Sequence, residues 1–206
     1  IARTALLRNG QTLTQSVDWL AKSFDIKIRV LPMTEDNVQT YLETTEGPVH
    51  FQTYWVTHKG DLPISAVEYR GIKDARPAPA FQEALENVDT VLIGPSNPVT
   101  SIYPIIGLRG VKEALSEKFV IAVSPIIGDS PVSGPGAALL KVFGYEVTSQ
   151  GIADFYEEFL DVLIQDYRDP LDVDGVKTIR ADTIMKDRDV SIDLANLILE
   201  TFKTED

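Results

Sequence analysis

The chain contains no cysteine. Disulfides, thiolate zinc fingers, iron–sulfur clusters and cysteine nucleophiles are therefore excluded. Histidine is nearly absent: His50 and His58 are the only two, too few for a three-histidine zinc site. Basic residues are scarce, 19 Lys and Arg against 31 Asp and Glu, for a formal net charge of −12. A phosphate backbone selects a basic patch, so nucleic acid is not an expected partner, nor is an anionic membrane surface. Long unbroken apolar runs are missing as well. Thr90–Leu108 carries no formal charge over 19 residues, the length of a membrane span. Gly94, Pro95, Pro98 and Pro104 break that run, and Ser96, Asn97, Thr100 and Ser101 make it polar. A buried strand leading into a loop is expected there instead.

What is present is ordinary for a globular protein: 206 residues, 44% hydrophobic and 24% charged, enough for one α/β domain over 1–206 with a real core. Residue 1 is Ile, and Ile1–Arg8 already reads as structured sequence without the pattern of a secretory signal. Further residues are expected upstream.

The segment 90–152 stands apart. Its 63 residues carry eight charges (Arg109, Lys112, Glu113, Glu117, Lys118, Asp129, Lys141, Glu146), about 13% against 24% overall, yet six of the 12 prolines and eight of the 13 glycines. Low charge implies burial, and Gly with Pro implies tight turns. Together they predict the centre of a parallel sheet with elaborate loops at its strand ends.

Hydrophobic periodicity supplies the remaining elements. Helical spacing marks Thr12–Phe24, Pro79–Glu86, Gly110–Leu115, Gly136–Phe143, Ile152–Leu160 and Ser191–Phe202. Ile26–Leu31 alternates and predicts a half-buried strand, and Asp36–Thr44 predicts a short helix. Val49–Val56 fits either element. Strands are predicted at Ile64–Tyr69 (an edge), Thr90–Ile93 and Phe119–Val123 (both buried), Asp161–Gln165 and Lys177–Thr183. Alternating strands and helices predict a three-layer, Rossmann-like α/β fold with a mostly parallel sheet and helices on both faces.

Two loops carry the candidate chemistry. The first is Gly94-Pro95-Ser96-Asn97-Pro98-Val99-Thr100-Ser101, immediately after a predicted strand. Ligands of open α/β sheets bind off the carboxyl ends of strands. Ser, Asn and Thr supply neutral donors beside backbone N–H groups at a helix start, which suits a phosphate or a nucleotide. The alternative is a tight capped turn without a ligand. The Gly-Lys-Ser/Thr ending of a P-loop is absent. The second loop runs from Ser124-Pro125-Ile126-Ile127-Gly128 to Pro131-Val132-Ser133-Gly134-Pro135 and has the same chemistry. Two neighbouring strands ending this way would bring both loops to one sheet edge.

Other candidates are weaker. Asp161, Asp166, Arg168 and Asp169 read as a solvated charged loop, with Mg2+ binding as the alternative. Arg180 and Asp182 read as an ion pair. His50, Phe51, Tyr54 and Trp55 form either packed core or a platform for a planar ligand. His58 reads as exposed.

These loops, with Leu31-Pro32-Met33, Thr45-Glu46-Gly47, His50-Phe51-Gln52, Trp55, Phe159-Leu160-Asp161 and Ala181-Asp182-Thr183, resemble the 2-phospho-L-lactate transferase family of coenzyme F-420 biosynthesis. The resemblance covers nearly the whole chain. It implies a cytoplasmic, Mg2+-dependent enzyme that forms homo-oligomers. Its donor is a guanosine-diphosphate-activated phospholactyl or enolpyruvyl group. Its acceptor is the ribityl hydroxyl of the deazaflavin FO, and GMP is released. The nucleotide-binding positions it implies are Gly94, Pro95, Ser96, Asn97, Pro98, Thr100, Ser101, Ser124, Pro125, Ser133, Gly134 and Pro135. His50, Phe51 and Trp55 are its deazaflavin candidates. Family members begin with a strand and Gly-rich turn that serve the metal and deazaflavin end. This chain joins that pattern about a third of the way in, so neither a catalytic base nor a metal ligand is assigned. A sister branch of gluconeogenesis-factor-like nucleotide-binding regulators shares the Gly-Pro-Ser loop but generally lacks the Ser-Pro-Ile-Ile-Gly and Pro-Val-Ser-Gly-Pro pair.

Overall fold

The computed structural model describes residues 1–132 and 136–204. Helices α1 (Ala2–Arg8) and α2 (Leu13–Ser23) come first. Thr12 starts α2 with a capping box: its hydroxyl accepts from Gln15 N at 3.2 Å, and the Gln15 amide oxygen accepts from Thr12 N at 3.0 Å. Strands β1 (Gln39–Thr44) and β2 (Gly47–His50) form an antiparallel hairpin with Thr44 opposite Gly47. Gly47 has φ +92°, a conformation that favours glycine at this turn. Helix α3 (Phe51–Val56) follows, and β3 (Ile64–Arg70) pairs with the other side of β1 as a sheet edge, as its pattern predicts.

Two expectations in this region are corrected. Asp36–Thr44 is not a helix. Gln39–Thr44 is the central strand of the small sheet, with Leu42 fully buried. Ile26–Leu31 is not a strand: Ile26, Ile28 and Val30 are exposed. Alternation alone does not make a strand, because the backbone also needs a partner to hydrogen-bond.

The second half builds the parallel sheet. Its elements are α4 (Pro79–Glu86), β4 (Thr90–Ile93), a π-helical turn (Pro98–Ile102), α5 (Tyr103–Ile106), α6 (Val111–Leu115), β5 (Phe119–Val123), the short pair β6 (Ile126–Ile127) and β7 (Ser130–Pro131), α7 (Gly136–Val142), α8 (Ser149–Phe155), β8 (Val162–Asp166), β9 (Lys177–Ala181) and α9 (Arg188–Lys203). Strand order is β4-β5-β8-β9, and every neighbour is parallel. Strand alternation sorts side chains to two faces. Val120, Ala122 and Leu163 pack into a core with Val111, Leu115, Leu139, Leu140 and Ile152. Ile121, Val123, Val162 and Ile164 pack on Leu194 and Ile198 of α9. Helices thus cover both faces of a parallel sheet, the predicted α/β architecture.

Details differ from expectation. Strand β4 lies at the sheet edge and leaves Leu92 46% exposed, so it is less buried than its sequence suggests. The segment after it is not only a loop but includes the π-helical turn and α5. The predicted Ile152–Leu160 helix starts earlier, at Ser149 with Thr148 as its cap, and ends at Phe155. Among the described residues no helix is long and apolar enough to cross a membrane.

Candidate functional site

Because β4, β5 and β9 are parallel, their following loops emerge on one side. There they surround a cavity of about 620 Å³. The β4 loop contributes Pro95, Ser96, Asn97, Pro98, Thr100 and Ser101. The β5 loop contributes Ser124, Pro125, Ile126, Pro131 and Val132. Phe51 and Trp55 of α3 and Gly136 and Leu140 of α7 form further wall. Thr183, Ile184 and Met185, after β9, close the outline. No charged side chain is among these residues.

Most of the predicted positions are brought together. Gly94 is exposed beside the cavity but not in its lining. Ser133, Gly134 and Pro135 lie outside the described residues. Phe51 and Trp55 line the cavity, whereas His50 does not. The His50 ring caps α3, Nδ1 accepting from Gln52 N at 3.2 Å, and meets Tyr41 edge-on at 5.4 Å. Tyr54 is buried, with its hydroxyl donating to Gly60 O at 2.7 Å. Burial pushes that phenol up, with the Asp61 charge adding to the effect. His58 is half-buried rather than exposed. The segment Thr183–Met185 was missed as site. The available signal was its place directly after a predicted strand of the same sheet.

The β4 loop is organised by one side chain. Asn97 Oδ1 accepts from Val99 N at 3.0 Å and Thr100 N at 3.1 Å, while its carbonyl accepts from Ser101 N and Ile102 N. The backbone donors expected to meet a phosphate are thus already occupied. Tyr69 ties the turn down from below, its hydroxyl donating to Val99 O at 2.5 Å. Burial, with Tyr103 alongside, pushes that phenol well above its ordinary range. The side-chain donors are different. The hydroxyls of Ser96, Thr100 and Ser101 and the Asn97 Nδ2 group make no hydrogen bond among the described residues. They are the groups left for a ligand.

The β5 loop is arranged the opposite way. Ser124 is 1% exposed. Its Oγ accepts from Ile126 N at 3.2 Å and lies 2.9 Å from Ser149 Oγ, which donates to Asp169 Oδ2 at 2.8 Å. Ser149 and Asp169 are buried as well.

Burial corrects half of the acidic cluster: Asp166 and Asp169 are buried, while Asp161 and Arg168 are exposed as a solvated loop would have them. Asp166 is fully buried at the end of β8 and accepts from Arg168 Nε at 2.6 Å and Nη2 at 2.7 Å, and from Arg168 N. It also accepts from Thr183 N and Oγ1, each at 2.9 Å, which fixes the third wall of the cavity to the sheet. Burial by itself would raise this carboxyl. The hydrogen bonds from Arg168 and Thr183 outweigh it and hold the group well below the usual carboxylate range. Asp182 pairs with Arg168 rather than Arg180. Arg180 instead reaches the Asp169 and Leu171 carbonyls and Asp172. The Asp161 side chain accepts from Val120 N at 2.7 Å. With these carboxylates engaged, no group of three or more carboxylate or imidazole side chains among the described residues could hold a metal ion. Among the described residues there is thus no all-protein cage for Mg2+.

The comparisons with known proteins agree with one another. A model of the family described as 2-phospho-L-lactate transferase CofD matches residues 1–202. The 2-phospho-L-lactate transferase of Methanosarcina acetivorans is 47% identical over 209 residues, covering 99% of this chain and 68% of the relative. That of Methanosarcina mazei is 44% identical over 207 residues, covering 98% and 68%. That of Methanocaldococcus jannaschii is 41% identical over 204 residues, covering 96% and 66%. The chain spans about two thirds of the length of these relatives. Among solved structures, a UPF0052 family member, BH3568 of Bacillus halodurans, is similar in fold: TM-score 0.60 at 18% identity, covering 87% of this chain and 63% of that one.

Proposed function

The chain belongs to the 2-phospho-L-lactate transferase family, and from that premise we propose that its cavity binds a guanosine-diphosphate-activated donor and presents it to FO. The donor carries a phospholactyl or enolpyruvyl-phosphate group. The ribityl hydroxyl oxygen of FO attacks the phosphorus that bears it. The bond to the GMP phosphate breaks, a phosphodiester forms, and the hydroxyl proton is released. Such a reaction needs positioning and charge stabilisation more than a covalent nucleophile, which suits a cavity without cysteine or histidine.

One observation carries the reading. The β4 loop lines a cavity at the carboxyl ends of parallel strands with Ser96, Asn97, Thr100 and Ser101, whose neutral side-chain donors have no partner among the described residues. Neutral donors bind phosphate oxygens by hydrogen bonds alone. Phe51 and Trp55 offer aromatic surface on another wall, suited to the deazaflavin ring.

Calorimetric titration of GDP and of FO into this chain, alone and extended upstream to the length of its relatives, tests the proposal. Both ligands are expected to bind, with Asn97→Ala weakening GDP and Trp55→Ala weakening FO. Binding of neither ligand would overturn the reading. Nucleotide binding without FO, persisting in the chain extended upstream, would favour a nucleotide-binding regulator.

A further inference from the structure

The buried series Ser124–Ser149–Asp169 has no part in the reaction as written above, yet it ends in a buried carboxylate and begins at the cavity. Hydrogen count and distance together set its direction, because Ile126 O is a second acceptor, 3.2 Å from Ser124 Oγ and 3.4 Å from Ser149 Oγ. An ionised carboxylate only accepts, and each serine hydroxyl has one hydrogen. Ser149 gives its hydrogen to Asp169 Oδ2 at 2.8 Å. The single hydrogen of Ser124 then goes to Ser149 Oγ at 2.9 Å, the shorter contact, in preference to Ile126 O at 3.2 Å. One Ser124 lone pair is occupied by Ile126 N at 3.2 Å. What remains on Ser124 is one lone pair and no hydrogen.

Asp169 itself is held in place independently. Its Oδ1 accepts from Leu171 N at 3.1 Å, its amide donates to Asp166 O at 3.0 Å, and its carbonyl accepts from Arg180. The charged groups nearest it in the chain are Asp166, Arg168, Asp172 and, across the sheet, Arg180. The charge-assisted bond to Asp169 is the strongest of the series and sets the rest.

We propose that Asp169, through Ser149, positions the Ser124 hydroxyl as a hydrogen-bond acceptor, so that this wall selects a ligand hydroxyl and not a phosphate oxygen. The inference rests on the transferase reading, in which the attacking group is a hydroxyl of FO. It divides the cavity in two: phosphate oxygens meet the free donors of the β4 loop, and the polyol meets Ser124. Asp169 and Ser149 are positioning residues, because neither reaches the cavity.

Asp169→Asn reverses the series with almost no change of shape. The amide oxygen keeps the bond from Leu171 N, and the NH2 group donates to Ser149. Ser149 must then turn its hydrogen away from residue 169 and toward Ser124, which fills the free Ser124 lone pair and leaves the Ser124 hydrogen to Ile126 O or the cavity. FO is expected to bind about tenfold more weakly to Asp169→Asn and to Ser124→Ala. GDP is expected to stay within about twofold on the same basis. Equal weakening of both ligands, or unchanged FO binding to Asp169→Asn, overturns the proposal. Neutron diffraction of the unliganded wild-type chain gives a second, ligand-independent readout. Deuterium is expected on the line from Ser149 to Asp169 and on that from Ser124 to Ser149. Deuterium of Ser124 directed at the cavity or at Ile126 O overturns the assignment. If wild-type chain binds neither GDP nor FO, the transferase reading fails and its ligand half goes with it, while the neutron map still decides the hydroxyl order.

Discussion

The loops after β4 and β5 have nearly the same composition, Ser and Pro with little charge, and opposite arrangements. In the β4 loop the backbone donors are satisfied by Asn97, and the hydroxyls of Ser96, Thr100 and Ser101 have no partner among the described residues. In the β5 loop Ser124 is 1% exposed and joined to Ser149 and Asp169. Sheet position explains the difference. Strand β4 is at the sheet edge, whereas β5 has neighbours on both sides, and the serine that follows it meets Ser149 of α8, which in turn meets Asp169 beyond β8. Among the described residues the side-chain donors of the first loop are left free, whereas those of the second are held by the fold.

The largest effect that would sharpen this contrast is at Asp166, on the enclosed side. Asp166→Asn removes the charge that Arg168 and Thr183 hold in a buried position, and is expected to cost about 3 kcal/mol in urea unfolding at pH 7. A loss as small as that of a surface change would break the comparison.

Acid provides the next test. The folded-state Asp166 carboxyl is depressed, so its stabilisation is complete above the ordinary carboxylate range, about pH 4, and is lost as pH falls from there toward the folded value. Wild-type chain should lose more stability between pH 5 and pH 3 than Asp166→Asn does, read from urea midpoints at each pH.

A smaller loss is expected at Asn97. Asn97→Ala removes the acceptor for Val99 N and Thr100 N, and the cost of a lost cap is about 1 kcal/mol. GDP affinity should fall with it, since the free Nδ2 donor goes too. Smallest in stability are Ser96→Ala and Ser101→Ala, within about 0.5 kcal/mol by thermal unfolding because both are exposed and their hydroxyls have no partner among the described residues. Their effect should appear instead as severalfold weaker GDP binding by calorimetry. Stability losses comparable to that of Asp166→Asn would mean that the two loops are not different after all.

Much of the parallel half was legible in the sequence. Phe119–Val123 is a strand with those bounds, and Pro79–Glu86 a helix with those bounds. Both carry a strong local signal, five consecutive apolar residues in one and a Pro at the first turn in the other. The antiparallel half was read less well. Gln39–Thr44 carries polar residues that suit several conformations, and only pairing with β2 and β3 makes it a strand. Ile26–Leu31 has the better strand pattern and is not a strand in the fold. In the site, Ser96, Asn97, Thr100, Ser101, Ser124, Phe51 and Trp55 were identifiable from their place after strands or in an aromatic cluster. Thr183–Met185 were not, because no glycine or proline marks that turn.

Sequence alone determined that charge-poor strands with polar, proline-rich ends lie side by side, since burial and turn chemistry act over a few residues. Tertiary structure decided which of those polar ends is free. Ser124 meets Ser149 across 25 residues of chain and Ser149 meets Asp169 across 20. A hydrogen bond depends on distance in space, and a serine whose partner lies that far along the chain looks the same in the sequence as one with no partner.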